Sequence, residues 1–261
     1  MSSAMNYETQ FAAFFDQAAD VARDVTLKYF RQNIPVDDKA DKSPVTQADR
    51  EIEQRLRELI KKTFPTHGII GEEFGKENES AEFVWVIDPI DGTKSFITGR
   101  PLFGTIIGLM HNGKPAVGLI DQGYTKERWF GITGQFAKHN GKPIKIAPPR
   151  KLDQARLYTG SISMFDDENF ENYLALCRAA KLTQYSTDCY AYGLLAMGWA
   201  DIVVEQKLGL YDVAGVVPII TGAGGVMTDW DGNAIDASFK GKAVAASSKE
   251  LAGEALALLK R

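Results

Sequence analysis

Two aspartates three residues apart stand where an apolar run ends, in Trp85-Val86-Ile87-Asp88-Pro89-Ile90-Asp91-Gly92-Thr93. The residues before Asp88 have the composition of a buried strand. Pro89 cannot donate to a ladder, so pairing stops between the two acids. Gly92-Thr93 then opens a short helix. Carboxylates this close repel one another unless a cation lies between them. Ligands that are all oxygen select a hard ion such as magnesium. The amides of Gly92 and Thr93, at a helix start, suit a phosphate group. Asp-Gly on its own signals only a turn; here a strand end, paired acids and a helix start coincide. The chemistry open to this pattern is metal-assisted handling of a phosphate.

Three other acids have chemical readings and plainer ones. Glu72, in Gly71-Glu72-Glu73-Phe74-Gly75, follows the β-rich pair Ile69-Ile70. At a strand end it could ligate metal or orient water, and equally it could belong to a solvated acidic loop. Asp212, in Tyr211-Asp212-Val213-Ala214-Gly215, directly precedes an apolar helix, where an aspartate is ordinarily an N-cap. Asp49, in Thr46-Gln47-Ala48-Asp49, falls in the first turn of a helix, where the helix dipole alone accounts for it.

Helices and strands must bring these acids together. Phe11, Phe14, Phe15, Ala18, Val21, Ala22 and Val25 recur at helical spacing, which predicts an amphipathic helix from Tyr7 to about Phe30. The stretch from Gln32 to Pro44, charged and holding Pro35 and Pro44, reads as an exposed, mobile loop, with Lys42 a solvated charge. A second helix opens after Thr46, striped by Ile52, Leu56, Leu59 and Ile60. After Pro65 the pattern turns to strands at 68–71, 83–87, 105–110, 116–120 and 127–132, with Asn140-Gly141 as a hairpin turn. The second half alternates. Strands are expected near Leu157, at 201–204, at Val226 and near Ala243. Helices are expected over about 166–180, through 192–197, from Asp212 to Ile220 and from Glu250. A soft boundary at Pro148-Pro149 divides a helix-plus-sheet subdomain, 1–148, from an α/β subdomain, 149–261.

Charge narrows the field of partners. The 261 residues carry a formal net charge of -4, so no global cationic field draws the chain to nucleic acid or an anionic membrane. An anionic substrate must be met locally. Cys177 and Cys189 make neither a disulfide framework nor a zinc site, and His67, His111 and His139 are scattered. No apolar run reaches membrane-spanning length. Met1 to Gln10 is polar and lacks the apolar region of a signal peptide, so a cytoplasmic location is expected. Asp229-Trp230-Asp231-Gly232 departs from a calcium loop and reads as a hairpin turn. Gly222-Ala223-Gly224-Gly225 follows a helix and reads as its cap and a tight turn.

In order and spacing, Gly71-Glu72-Glu73, then Asp88-Pro89-Ile90-Asp91-Gly92-Thr93, then Tyr211-Asp212-Val213-Ala214-Gly215 ahead of Gly222 resemble the inositol monophosphatase family of magnesium phosphatases. The resemblance runs from the Asp49 helix to the C-terminal strand and helix. It implies an α/β (α+β) fold, the layered αβαβα sandwich of the inositol monophosphatase and fructose bisphosphatase type, and usually a homodimer. It implies two or three magnesium ions. Glu72, Asp88 and the carbonyl of Ile90 would hold a first ion; Asp88, Asp91 and Asp212 would hold a second. Thr93, polarised by Asp49, would act with Glu72 to position and activate the attacking water, without a covalent phosphoenzyme. Asp91, Gly92, Thr93 and Asp212 would also meet the substrate.

Family members act on inositol phosphates, histidinol phosphate, phosphoadenosine phosphate and sugar bisphosphates. Lys94-Ser95-Phe96 stands where the inositol enzymes commonly carry Thr-Asn-Phe. Thr187-Asp188-Cys189-Tyr190-Ala191-Tyr192-Gly193 occupies the segment that contacts the alcohol, and inositol enzymes tend to have small residues at Asp188. This pattern is similar to the histidinol-phosphate phosphatase branch. Asp188 and the strand-end Glu205 would both face the leaving group, where two acids suit an ammonium and an imidazole better than a neutral polyol. Asp188 is equally readable as the N-cap of the helix that follows. The expected function is hydrolysis of histidinol phosphate in histidine biosynthesis. Its rivals are an inositol-1-phosphate phosphatase and a non-catalytic regulatory binding protein on the same fold.

Overall fold

Asn6 starts the first helix by accepting the N–H of Thr9, and α1 (Tyr7–Tyr29) buries Phe11, Phe15, Ala18, Ala22 and Val25 along one face. The computed structural model describes residues 6–38 and 44–260, so Lys42 lies outside the described residues. The expected loop after α1 is partly ordered into a ladder. Val36–Asp38 (β1) and Pro44–Thr46 (β2) pair antiparallel, which gives their backbone groups partners that composition alone does not reveal. Next, α2 (Gln47–Thr63) begins at a capping box. Thr46 Oγ1 accepts the N–H of Ala48, and the Asp49 carboxylate accepts the N–H of Thr46.

The first sheet has eight strands. They are β3 (Gly68–Gly71), β4 (Gly75–Glu77), β5 (Phe83–Asp91), β6 (Gly104–His111), β7 (Lys114–Gln122), β8 (Glu127–Ile132), β9 (Phe136–His139) and β10 (Lys142–Ile144). Their order is β10-β9-β8-β7-β6-β5-β3-β4, and only the β3–β5 pair is parallel. The short helix α3 (Thr93–Ile97) leaves the end of β5. Asn140 and Gly141 turn β9 into β10 with φ of 46° and 75°, both positive as the tight hairpin requires. Sequence periodicity missed β4, three exposed residues with no apolar alternation.

The second sheet takes the order β12-β11-β13-β15-β14, from β11 (Arg156–Thr159), β12 (Leu182–Tyr185), β13 (Ile202–Gln206), β14 (Val226–Asp229) and β15 (Lys242–Ala246). Between its strands run α4 (Asp167–Ala179), α5 (Tyr190–Ala196), α6 (Leu210–Val213) and α7 (Val216–Gly222); α8 (Lys249–Leu259) closes the chain. Five layers result, as the resemblance implied. One core joins α1 and α2 to the large sheet, with Phe14 and Phe15 rings 4.8 and 5.1 Å from Trp85. A second fills the space between the sheets with Leu195 of α5 and Ile219 of α7. A third joins Tyr173 of α4 and Leu251 of α8 to the small sheet.

The helix expected from Asp212 to Ile220 is interrupted at Ala214-Gly215. The interruption falls where the chain comes closest to the large sheet. Gly108, Gly118 and Gly131 stand side by side on β6, β7 and β8. A Cβ on Gly118 would lie 1.9 Å from the carbonyl O of Gly215, and one on Gly131 would lie 2.5 Å from Cα of Ile219. The glycine stripe therefore lets α6 and α7 rest directly on the sheet, which sets the height of Asp212. Gly118→Ala should cost about 1–3 kcal/mol of stability by overpacking. Urea unfolding measures that loss, and a wild-type midpoint would refute this role for the stripe.

Candidate active site

The register between β5 and β6 shifts between Asp88 and Asp91, across Pro89-Ile90, and this bulge carries both acids to the strand end. Asp88 is 2% exposed, and its Oδ1 is buried without a hydrogen-bond partner. Asp212 comes from the third residue of α6, where its carboxylate accepts the N–H of Gly209 at 2.5 Å. It is thus neither an N-cap nor the start of the long helix. Asp88, Asp91 and Asp212 each offer an oxygen within 4.8 Å of the others. They adjoin a cleft of about 500 Å³ whose walls include Glu72, Asp91, Thr93, Asp188, Glu205 and Asp212.

Glu72 opens the turn after β3, its N–H donating to the carbonyl of Ile87 at 3.2 Å. That turn is braced by Glu53 of α2, a fully buried acid. It accepts the N–H groups of Glu73 and Phe74 at 2.6 and 3.1 Å and pairs with Arg57 at 2.8 Å. Nothing in the sequence separates Glu53 from a surface glutamate paired at i+4. Glu53→Ala should unfold the protein more easily by about 3–5 kcal/mol, because it strips a buried ion pair and two amides of their partner. A change below 1 kcal/mol in chemical denaturation would contradict that.

Gly92 caps α3 with φ of 82°, and Thr93 Oγ1 donates to the carbonyl of Ile90 at 3.2 Å. The contact between Thr93 and Asp49 implied by the resemblance is not made. Asp49 is held by Thr46 at both N and Oγ1, and its Oδ1 is buried without a partner. The local capping box engages only Oδ2 of Asp49. Burial, and then the charge of Glu72, still raise its pKa against the pull of its hydrogen bonds.

Asp188 is not the N-cap of α5, which is Cys189. Asp188 has φ of 46°, and its Oδ2 accepts from Ser95 Oγ at 2.5 Å. The N–H of Cys189 donates to Asp91 Oδ2 at 2.5 Å. Glu205, 5% exposed at the end of β13, accepts from Tyr192 OH and from the N–H of Gly160, each at 2.7 Å. Burial raises its pKa to about 7 despite those bonds. Sequence reasoning found both acids and missed the donors that hold them. His67 stacks on Phe64, His111 bonds Tyr7 and Glu82, and His139 faces Glu127, so they form no common site. Asp229 accepts the N–H of Asn233 in a turn, as expected.

The donor set fits a hard divalent cation: carboxylates only, with an orphaned buried oxygen on Asp88. Burial is the main cause that raises Asp88, followed by the charges of Glu72, Asp91 and Asp212. Asp91 is raised by burial, then by Asp188, Asp212 and Glu205. A folded-state pKa above the unfolded value gives stability that is complete below the ordinary carboxylate value and is lost as pH rises through the raised one. The metal-free protein therefore carries more repulsion at higher pH. The rise in Tm on adding magnesium should grow as pH climbs above the ordinary carboxylate range. Calorimetry with chelator and with magnesium tests this; a magnesium effect that shrinks with pH would contradict it.

Fold and site together define a phosphatase class. The model of the inositol monophosphatase family matches residues 7–261. The chain belongs to that family, which generally uses magnesium, and with it to the phosphoric monoester hydrolases. It is 48% identical to the bifunctional phosphatase IMPL2, chloroplastic, of Arabidopsis thaliana over 85% of this chain, and it spans only 65% of that protein's length. It is 34% identical to the histidinol-phosphatase of Chlorobaculum parvum over 83% of this chain and 84% of the other. The solved inositol monophosphatase of Zymomonas mobilis superposes with a TM-score of 0.90 at 39% identity, over 99% of this chain and 100% of that one.

Proposed function

We propose that this protein is a magnesium-dependent phosphomonoesterase that hydrolyses histidinol phosphate to histidinol and phosphate. The observation that carries the substrate choice is a pair of acids, half-buried Asp188 and buried Glu205, on the wall of the cleft that Asp91 and Asp212 also line. A substrate bearing an ammonium and an imidazole gains charge-assisted hydrogen bonds there. The likeness to a histidinol-phosphatase supports this reading. An inositol-1-phosphate phosphatase is the second reading, favoured by the Zymomonas mobilis likeness. A purely regulatory binding protein is disfavoured, since it would have no use for an acid cluster around buried Asp88 with an unpartnered oxygen.

Glu72, Asp88 and the carbonyl of Ile90 would hold one magnesium, and Asp88, Asp91 and Asp212 a second; the resemblance allows a third. When bound, the ions supply acidification of the attacking water and charge neutralisation at the leaving oxygen. Glu72 and Thr93 orient that water toward phosphorus, with Thr93 exchanging its bond to Ile90. The amides of Gly92 and Thr93 hold the phosphate oxygens. One P–O bond forms to water, the ester P–O bond breaks, and the alcohol leaves with a proton. Asp49 steadies this end of α2 through Thr46.

The proposal includes a homodimer, a cytoplasmic location and the division into subdomains 1–148 and 149–261, the first supplying Glu72, Asp88 and Asp91 and the second Asp188, Glu205 and Asp212. No helix among the described residues is long and apolar enough to cross a membrane. The test is phosphate release from histidinol phosphate, inositol 1-phosphate and phosphoadenosine phosphate at fixed magnesium. The highest kcat/KM is expected for histidinol phosphate, and a preference for either other ester would overturn the assignment.

A further inference from the structure

We infer that Ser95 is a specificity-determining positioning residue, which fixes the Asp188 carboxylate on the leaving-group side of the cleft in register with Asp91. The inference rests on reading this cleft as a phosphomonoesterase site with the alcohol against Asp188.

Ser95 is 4% exposed, on α3 two residues after Thr93. Its Oγ donates to Asp188 Oδ2 at 2.5 Å. Two more bonds fasten the 186–189 turn, one to the end of β5 and one to the loop after α3. The N–H of Cys189 donates to Asp91, and the Arg100 guanidinium donates to the carbonyl of Ser186 at 3.0 Å. Gly92 completes the fit: a Cβ there would lie 2.6 Å from Cγ of Asp188. The carboxylate therefore sits directly over the residue whose amide would cradle phosphate. The left-handed backbone of Asp188 persists only where its surroundings hold it, and these contacts are what hold it.

The need for a positioning group follows from the neighbours. Lys94 and Arg100 line the same cleft and act on Asp188 through their charge. Released from Ser95, the carboxylate would turn toward these cations and away from the substrate. A single hydroxyl holds one oxygen, and the other oxygen makes no hydrogen bond among the described residues. That oxygen is the one left for a cationic alcohol. Ser95 and Asp188 thus operate as one unit, although 93 residues separate them.

The test is a double-mutant cycle of Ser95→Ala and Asp188→Ala, read as kcat/KM on histidinol phosphate and inositol 1-phosphate. It is scored on whichever ester the wild type prefers. Ser95→Ala should lower kcat/KM for that ester about tenfold, chiefly through KM, with a smaller loss on the other ester. In the Asp188→Ala background the same change should have little further effect. Calorimetric titration with the free alcohol of the preferred ester, histidinol or inositol, reads the same contact without turnover and should weaken by a similar factor. An equal loss on both esters, or a loss undiminished when Asp188 is already alanine, would overturn the inference and leave Ser95 a packing residue. A wild-type preference for inositol 1-phosphate would overturn the histidinol reading, and the cycle would still decide whether Ser95 acts through Asp188.

Discussion

Asp91→Asn should abolish most phosphate release while raising the Tm of the metal-free protein. Asp91 is crowded by the charges of Asp188, Asp212 and Glu205 in a buried setting that raises its pKa. A bound divalent ion would offset that repulsion. An asparagine keeps the shape, and its carbonyl oxygen can still accept the N–H of Cys189. It removes one negative charge from the ion's cage, so kcat/KM should fall on the order of a hundredfold or more at saturating magnesium. Without metal the same change relieves repulsion. A gain of roughly 1 kcal/mol corresponds to a rise of about 2–4 °C in a chain of this size. Phosphate release and calorimetry in chelator measure the two effects. Near-normal turnover would remove Asp91 from the metal site, and a lowered Tm would mean that its hydrogen bond to Cys189 outweighs the repulsion.

The wild type should prefer histidinol phosphate, and Asp188→Ala should cost that substrate roughly ten- to a hundredfold in kcat/KM. Phosphate binding is common to every candidate ester and cannot discriminate among them. Discrimination must come from the alcohol side, where the proposed reading puts the cleft-lining acids Asp188 and Glu205. A charge-assisted hydrogen bond to the substrate cation contributes about 1.5–3 kcal/mol. Inositol offers the same acid only hydroxyls, so its loss should be much smaller. The geometry has removed one competing account, because α5 is capped by Cys189 and not by Asp188. An equal loss on both esters would mean that Asp188 serves only to tie the 186–189 turn to α3.

The Asp88–Thr93 segment was legible because its chemistry is local. Strand, proline, two acids and a helix start fall within six consecutive residues, each with a recognisable preference; the bulge that lets pairing resume from Asp91 to Gly104, where the sequence suggested it would stop, was not legible. The capping box at Thr46 and Asp49 was legible for the same reason. What stayed hidden depends on contacts between distant positions. Glu53 braces a turn 20 residues away, and Ser95 answers an acid 93 residues away. The break between α6 and α7 reflects glycines on three other strands, which no helical periodicity can report. Asp49 shows the reverse case. The resemblance paired it with Thr93, whereas the nearer Thr46 holds it in the structure.

Phosphate release from histidinol phosphate, measured on chelator-stripped protein as magnesium is added back, tests the central claim most directly. The charges of Asp88, Asp91 and Asp212 repel one another, and a cation among them would offset that repulsion. No release is expected from the stripped protein, with saturable recovery as magnesium is added. Release that survives stripping, or none at any magnesium concentration, would contradict it.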